Sequence, residues 1–164
     1  MANARLTGRF DNLVRVVNQS CTQVSNATVT AAYVPGSKVV LEAGQVQNGL
    51  TLRWTCGGVL AGGNAAFPLT LVVNGTTVFT LTSDAATAGD YTATVMMVCY
   101  GGALQKLIGN MINNAEETEA DYAAGTADLR GGAIIELKVA SGHTSDTVTV
   151  EVCTVEAWNA PLET

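Results

Sequence analysis

Side chains able to do acid–base or nucleophilic chemistry are sparse in this sequence. Its single histidine, His143, lies in the polar stretch Ser141–Ser145. A Ser/His/Asp system needs a packed carboxylate to orient the histidine and a nucleophile held in a pocket. A short polar turn provides no such enclosure, and no carboxylate pair stands in the apolar setting that suits general-acid catalysis. The sequence therefore predicts no catalytic residues, no cofactor and no enzyme activity.

An acidic stretch is the candidate for metal binding. It contains Glu116, Glu117, Glu119 and Asp121, and carboxylates are ligands that calcium prefers. The stretch lacks the glycine and the alternating oxygen ligands of a defined calcium loop. The favoured interpretation is a solvated acidic turn with no metal site, and calcium binding stays the alternative.

The four cysteines do not form a zinc motif. Cys21, Cys56, Cys99 and Cys153 are far apart in the chain, and no Cys-x-x-Cys occurs. The first residues lack the apolar core of a signal peptide, so we expect synthesis in a cytosol, where thiols stay reduced. The sequence predicts free, buried thiols. If two of them are neighbours, Cys99 and Cys153 are the favoured pair, because both lie on long predicted strands.

The charge distribution restricts the partners. A net charge of -6 argues against nucleic acid, and no apolar run reaches the ~20 residues of a membrane-spanning helix. Residues 1–20 carry Arg5, Arg9 and Arg15 against Asp11, a balance of +2, whereas the remaining residues carry -8. The sequence predicts neither a nucleic-acid nor a membrane partner, but a basic N-terminal arm that docks on a partner.

Alternating apolar residues and turn signals predict an all-β protein. The clearest signal is Leu69–Leu81, where Asn74-Gly75 separates two β-type runs and suits a type I′ hairpin turn. With Val73 opposite Thr76, one face of this hairpin holds Leu69, Leu71, Val73 and Val78. The other face holds Val72, Phe79 and Leu81. Apolar residues on both faces predict that each side is covered.

Further strands follow from the same alternation. Leu50–Cys56 places Leu50, Leu52 and Trp54 on one face. Tyr91–Tyr100 has its odd-numbered residues on one apolar face, and Met96 and Val98 make the other face apolar as well.

Two further strands are predicted near the end of the sequence, and one earlier segment fits either a helix or a strand. In Ala133–Val139 the apolar residues Ile135, Leu137 and Val139 point inward. In Thr147–Val155 the predicted inward set is Val148, Val150 and Val152. Ala103–Ile112 fits either a helix or a strand, and the surrounding strands favour a strand.

The run from Pro35 to Trp158 resembles a jelly-roll domain of the tumour-necrosis-factor-like kind found in tailed-phage structural proteins. Strand and turn patterns carry this resemblance, namely Val34–Ser37, Leu50–Gly58, Leu69–Thr77, Ala88–Val95, Ile135–Gly142 and Val148–Trp158. The resemblance implies an eight-stranded antiparallel sandwich of two sheets that is commonly trimeric. It also implies a place among capsid decoration proteins or fibre and spike modules.

These observations define one set of expectations. Residues 1–27 form an N-terminal arm and lead-in, 28–158 a jelly-roll sandwich, and 159–164 a tail. The leading hypothesis is a homotrimeric capsid decoration (cement) protein of a bacteriophage virion, whose arm residues Arg5, Arg9 and Arg15 bind the major capsid protein. The alternative is a receptor- or glycan-binding module of a tail fibre or spike. Only 13% of the residues are charged, against ~25% in typical soluble domains, which favours burial of surface in an assembly.

Overall fold

A computed structural model describes residues 15–28, 30–63, 65–83, 88–113 and 117–159. Of residues 15, 17, 117–120 and 159 it gives the backbone alone. Twelve antiparallel strands in two sheets make up the regular structure of these ranges. No helix in them is long and apolar enough to cross a membrane. The prediction of an all-β, two-sheet antiparallel sandwich is confirmed.

The larger sheet has seven strands. Its spatial order is β1 (Arg15–Ser20), β12 (Thr147–Asn159), β5 (Leu50–Ala61), β8 (Gly89–Cys99), β9 (Gln105–Asn113) and β10 (Glu117–Gly125), with β2 (Val24–Asn26) also pairing with β12. The smaller sheet has five strands. Its order is β3 (Ala32–Tyr33), β11 (Ala133–Val139), β6 (Pro68–Val73) and β7 (Thr76–Thr82), with β4 (Val39–Leu41) also pairing with β11.

The chain passes back and forth between the two sheets, which is the jelly-roll arrangement that the resemblance implies. The hairpin of β9 and β10 widens the larger sheet beyond β8. Residue range 103–112, open between helix and strand in the sequence, lies mainly in strand β9, so the preference for a strand is confirmed.

The core fills the space between the facing sheets. The predicted inward residues of β5, β8 and β11 are all buried. Trp54 is the largest fully buried side chain, and its indole Nε1 donates a hydrogen bond of 2.7 Å to the carbonyl oxygen of Ser37. A buried Trp is stable only when its N–H finds an acceptor, so this bond ties β5 to the loop before β4.

Gly109 explains the break in the apolar pattern of β9. A Cβ built on this residue would lie 2.7 Å from the ring of Phe79 on β7 of the opposite sheet. The missing side chain therefore lets the two sheets approach closely at this point.

The hairpin turn is confirmed, but the predicted faces of β7 are wrong. Asn74 has φ 49° and Gly75 φ 83°, as a type I′ turn requires. A bulge then shifts the register so that Leu71 pairs with Phe79 instead of Val78. One extra residue inverts the facing of everything beyond it, so Phe79 joins Leu71 in the core.

A second bulge overturns the predicted facing of β12. Val150 pairs with Gly58 and Val152 with Gly57, which leaves Glu151 without a partner in the register. Beyond this point the buried residue is Cys153, and Val152 is exposed. The inward set predicted for this strand holds for Val148 and Val150 only.

The larger sheet extends into the range assigned to the arm. β1 pairs with β12 from Arg15 onward, and β2 pairs with the same strand. Residues 15–20 and 24–26 are therefore part of the sandwich. Arg5 and Arg9 lie outside the described residues, as does the tail after Asn159.

Candidate functional site

The turn that holds His143 is built for structure. The Nδ1 of His143 lies 2.7 Å from the Oγ of exposed Ser145. The buried Asp146 carboxylate accepts hydrogen bonds of 3.1 Å from the backbone N–H groups of Gly63 and Ala65. This carboxylate therefore anchors the loop between β5 and β6.

The acidic stretch is strand, not turn. Residues 117–121 pair in register with β9, so the expectation of an acidic turn is wrong where the structure describes it. Glu116 and the side chains of 117–120 lie outside the described part. Among the side chains that are described, no cluster of His, Cys, Asp or Glu could hold a metal ion.

The cysteines differ from the prediction in two respects. Cys21 is exposed, whereas Cys56, Cys99 and Cys153 are buried, and all four are free. Cys153 faces Cys56 on the adjacent strand β5, and not Cys99, which makes the favoured pair wrong. The bulge in β12 turned Cys153 inward, and this change of facing is not visible in the sequence.

The outer face of the larger sheet is the candidate functional site. The strand registers place one residue from each strand side by side in rows across this face. One such row consists of Glu156, Arg53, Met96, Ile108 and Tyr122. A parallel row, two residues further along each strand, consists of Thr154, Thr55, Thr94 and Asn110.

Three residues of the first row, Met96, Ile108 and Tyr122, belong to an exposed apolar area, which we name the apolar patch. Its members lie on β8, β9, β10 and the turn between β8 and β9, and they are Met96, Val98, Tyr100, Leu104, Ile108 and Tyr122. Leu104 and Tyr122 are each 59% exposed, and Ile108 is 40% exposed. This group of exposed apolar residues on one sheet face is a candidate interaction surface.

Arg53 lies beside the apolar patch, and Lys106 of β9 lies within it, between Leu104 and Ile108. The Arg53 guanidinium donates to the Glu156 carboxylate through Nε at 2.8 Å and through Nη2, and it lies 5.3 Å from the ring centroid of Trp158. The Lys106 ammonium lies 5.1 Å from the Tyr122 ring, and a hydrogen bond to Tyr122 raises the pKa of Lys106. A positive charge thus lies beside each of the two aromatic rings.

A cleft of about 450 Å³ opens at the edge of the sandwich formed by β7 and β10. It lies between β7 and the end of β10, where each sheet has an edge. Its apolar walls are Val73, Val78, Ala124 and Ala127. Hydroxyl groups of Thr76, Thr77 and Thr126 complete the lining, together with Asn74 and Asp128. Asp128 forms an ion pair with Arg130, which lowers the pKa of its carboxyl to about 2.

The structure brings together residues that the sequence analysis did not. Of the predicted site residues, Arg15 begins β1, at the same end of the larger sheet as Trp158. The apolar patch was not predicted as a site. A signal for it exists, since β8 has Met96 and Val98 on its second face and β9 has Ile108 and Ile112 at even positions, but that signal does not say which face is covered.

No family model matches the chain, and no curated protein matches it. Among solved structures, a seed lectin of Lotus tetragonolobus aligns over 97% of this chain and 98% of its own, at 8% identity and a TM-score of 0.47. The CBM2 module of the evolved Dit of Lactobacillus casei BL23 phage J-1 aligns over 90% and 97%, at 10% identity and a TM-score of 0.42. No functional residue is carried over from these proteins to this chain.

Proposed function

We propose that this chain is a structural protein of a bacteriophage virion, a capsid decoration protein that assembles as a homotrimer and binds the major capsid protein. The observation that supports this proposal most directly is the apolar patch. A sheet face that carries exposed Ile, Leu and Tyr side chains invites association. A closed homo-oligomer buries such a face without leaving a second one open.

The charge of the chain is consistent with this role. Its low charged content suits a surface that is largely hidden in an assembly. The +2 balance of residues 1–20 contrasts with the acidic remainder, and Arg5, Arg9 and Arg15 are the proposed contacts with an acidic area of the capsid. Only residues 1–14 remain available as an arm, because β1 belongs to the sheet.

Paired substitutions on β9 test the self-association. Ile108→Asp places a carboxylate in the apolar patch, and Asn110→Asp places one on the same strand and face but in the neighbouring polar row. Light scattering should show a trimer for the wild type and for Asn110→Asp, and a monomer for Ile108→Asp. A wild-type monomer, or three equal masses, would refute the assembly through this face.

Co-sedimentation with undecorated capsids tests the attachment. Replacing Arg5 and Arg9 by Gln should weaken sedimentation with capsids while the trimer persists. Capsid binding by this variant equal to that of the wild type would refute the role of the arginines.

A second candidate function is glycan binding, which one observation on the same face favours. Trp158 and Tyr122 present aromatic rings beside cations, and the polar row of Thr55, Thr94 and Asn110 lies next to the row that contains Tyr122. Aromatic faces stack on the C–H faces of sugars, while hydroxyl and amide groups bind sugar hydroxyls. A glycan array with the wild type and Tyr122→Ala separates this function from assembly. Glycan binding that is lost in the variant, by a protein that is monomeric in solution, would favour it.

A further inference from the structure

Natural sheets protect their edge strands from pairing with other chains, and the four edges here differ in how strongly they are protected. β3 and β4 are only two and three residues long. β1 has a bulge between Val16 and Asn18. β10 contains three acidic residues in its sequence. β7 has a bulge at Val78, but it is seven residues long and includes no charge and no proline.

The open edge of β7 offers backbone groups for pairing. Val73 and Thr76 close the two-residue turn as a hydrogen-bonded pair, so the N–H and C=O of the next residue, Thr77, point away from β6. Thr77 lines the cleft of about 450 Å³. An extended segment entering this cleft would therefore find both hydrogen-bonding groups and apolar walls.

A segment of this chain has the pattern that such a strand needs. In residues 4–11 the apolar or small residues alternate strictly with the polar ones. The first set is Ala4, Leu6, Gly8 and Phe10, and the second is Arg5, Thr7, Arg9 and Asp11. Alternation of this kind suits a strand with one buried and one solvated face.

The geometry of the larger sheet excludes pairing within one chain. β1 begins at Arg15 on the edge opposite β10, five strand positions away, which is about 24 Å at the usual strand spacing. β7 packs under β9 and β10. Residues 12–14 would have to bridge that distance, but three extended residues span at most about 11 Å. The segment of a second copy has no such restriction.

We propose that residues 4–11 of one copy add a strand to the free edge of β7 in a second copy. Leu6 and Phe10 then face the apolar walls of the cleft, and Arg5 and Arg9 lie on the opposite, solvated side. This exchange rests on the proposed self-association and extends it to a surface separate from the apolar patch. It also leaves the two arginines accessible for the capsid.

Hydrogen–deuterium exchange of β7 in the full chain is the test. Replacing Leu6 and Phe10 together by Asp should accelerate exchange at the Thr77 amide by about fivefold to tenfold, which corresponds to one lost backbone hydrogen bond. Exchange in the central strand β8 should stay unchanged. The control variant replaces Arg5 and Arg9 by Gln, on the other side of the segment, and should keep the protection. Equal exchange at Thr77 in all three proteins would overturn the proposal.

A mixing experiment tests that the segment comes from a second copy. A chain lacking residues 1–11 keeps its β7, and a Thr77→Pro chain keeps its arm but has lost the N–H of its own edge. The truncated chain should exchange rapidly at Thr77 alone and regain protection when the Thr77→Pro chain is added. Protection that the mixture fails to restore would overturn the proposal.

Ile108→Asp separates this proposal from the apolar patch. If this variant stays trimeric while the Leu6 and Phe10 variant loses protection at Thr77, the patch proposal fails and the exchange stands. If the Ile108→Asp variant becomes monomeric and hydrogen exchange at Thr77 does not depend on residues 4–11, the strand-addition proposal fails and the patch proposal stands.

Discussion

The Sγ atoms of Cys56 and Cys153 lie 3.1 Å apart in the core, on adjacent strands whose register pairs the two residues directly. Both side chains are only 1% exposed. The contact is therefore held by the longest strand pair of the protein and is shielded from solvent. It is a place where two thiols can be joined with little movement of the backbone.

The first prediction follows from this contact. Refolding with oxidised glutathione should remove two hydrogens from the chain and join Cys56 to Cys153, with the electrons passing to the glutathione disulfide. The crosslink spans 97 residues, so the chain-entropy model gives a stabilisation of about 4–5 kcal/mol. Intact mass and peptide mapping check the bond, and thermal unfolding checks the gain. The bond should persist in Cys99→Ser and be absent in Cys56→Ser; a bond to Cys99 would contradict the geometry.

The second prediction concerns thiol reactivity in the native protein. The hydrogen bond to Cys153, together with burial, raises the pKa of Cys56, and burial raises that of Cys99 to about 12. Since the thiolate is the reactive form, iodoacetamide at about pH 8 should label Cys21 alone. Unfolding in denaturant should yield four adducts. A second adduct in the folded protein would show that a core thiol is accessible.

The third prediction concerns the turn of the β6–β7 hairpin. Gly75 has φ +83° and free space around the position of a Cβ, so Gly75→Val costs backbone strain alone, about 1–2 kcal/mol. Gly131 is the matched control, because it has the same free space without a left-handed φ. Urea unfolding should show a lower free energy of unfolding for Gly75→Val and a much smaller change for Gly131→Val. Equal losses would mean that strain is not the cause.

The fourth prediction concerns the close approach of the two sheets. Gly109→Ala places a methyl group against the Phe79 ring, and overpacking of this kind costs about 1–3 kcal/mol. Replacing the Phe79 ring by the smaller Leu side chain should relieve the clash. The double variant Gly109→Ala with Phe79→Leu should therefore be more stable than the sum of the two single effects predicts. Additive effects in this double-mutant cycle would show that the two residues do not press on each other.

The sequence predicted the strands well where alternation is regular and failed where a bulge interrupts it. Leu52, Val95 and Leu137 are buried as predicted, because period-two patterns in β5, β8 and β11 run without interruption. Phe79 and Cys153 changed faces because one unpaired residue precedes each of them. A bulge has no reliable signature in a single strand, since it depends on the partner strand.

The candidate site was less predictable than the fold. Met96 and Met97 are both apolar, and the sequence alone does not say that Met97 is buried and Met96 lies on the outer face. The acidic residues of β10 favour a turn by propensity, but pairing with β9 makes them strand. Tyr122 therefore joins the apolar patch through a hairpin that its own surroundings in the sequence do not predict.

The central position of β12 has a consequence for how the protein forms. This strand separates β1 from β5 and also pairs with β2, so neither early strand has its sheet partner until residues 147–159 have been synthesised. At ribosomal rates the delay is on the order of 10 s. During that time β1 and β2 remain unpaired with β12, whereas the hairpins β6–β7 and β9–β10 can close as soon as they leave the ribosome. The larger sheet is thus completed only after residues 147–159 have left the ribosome.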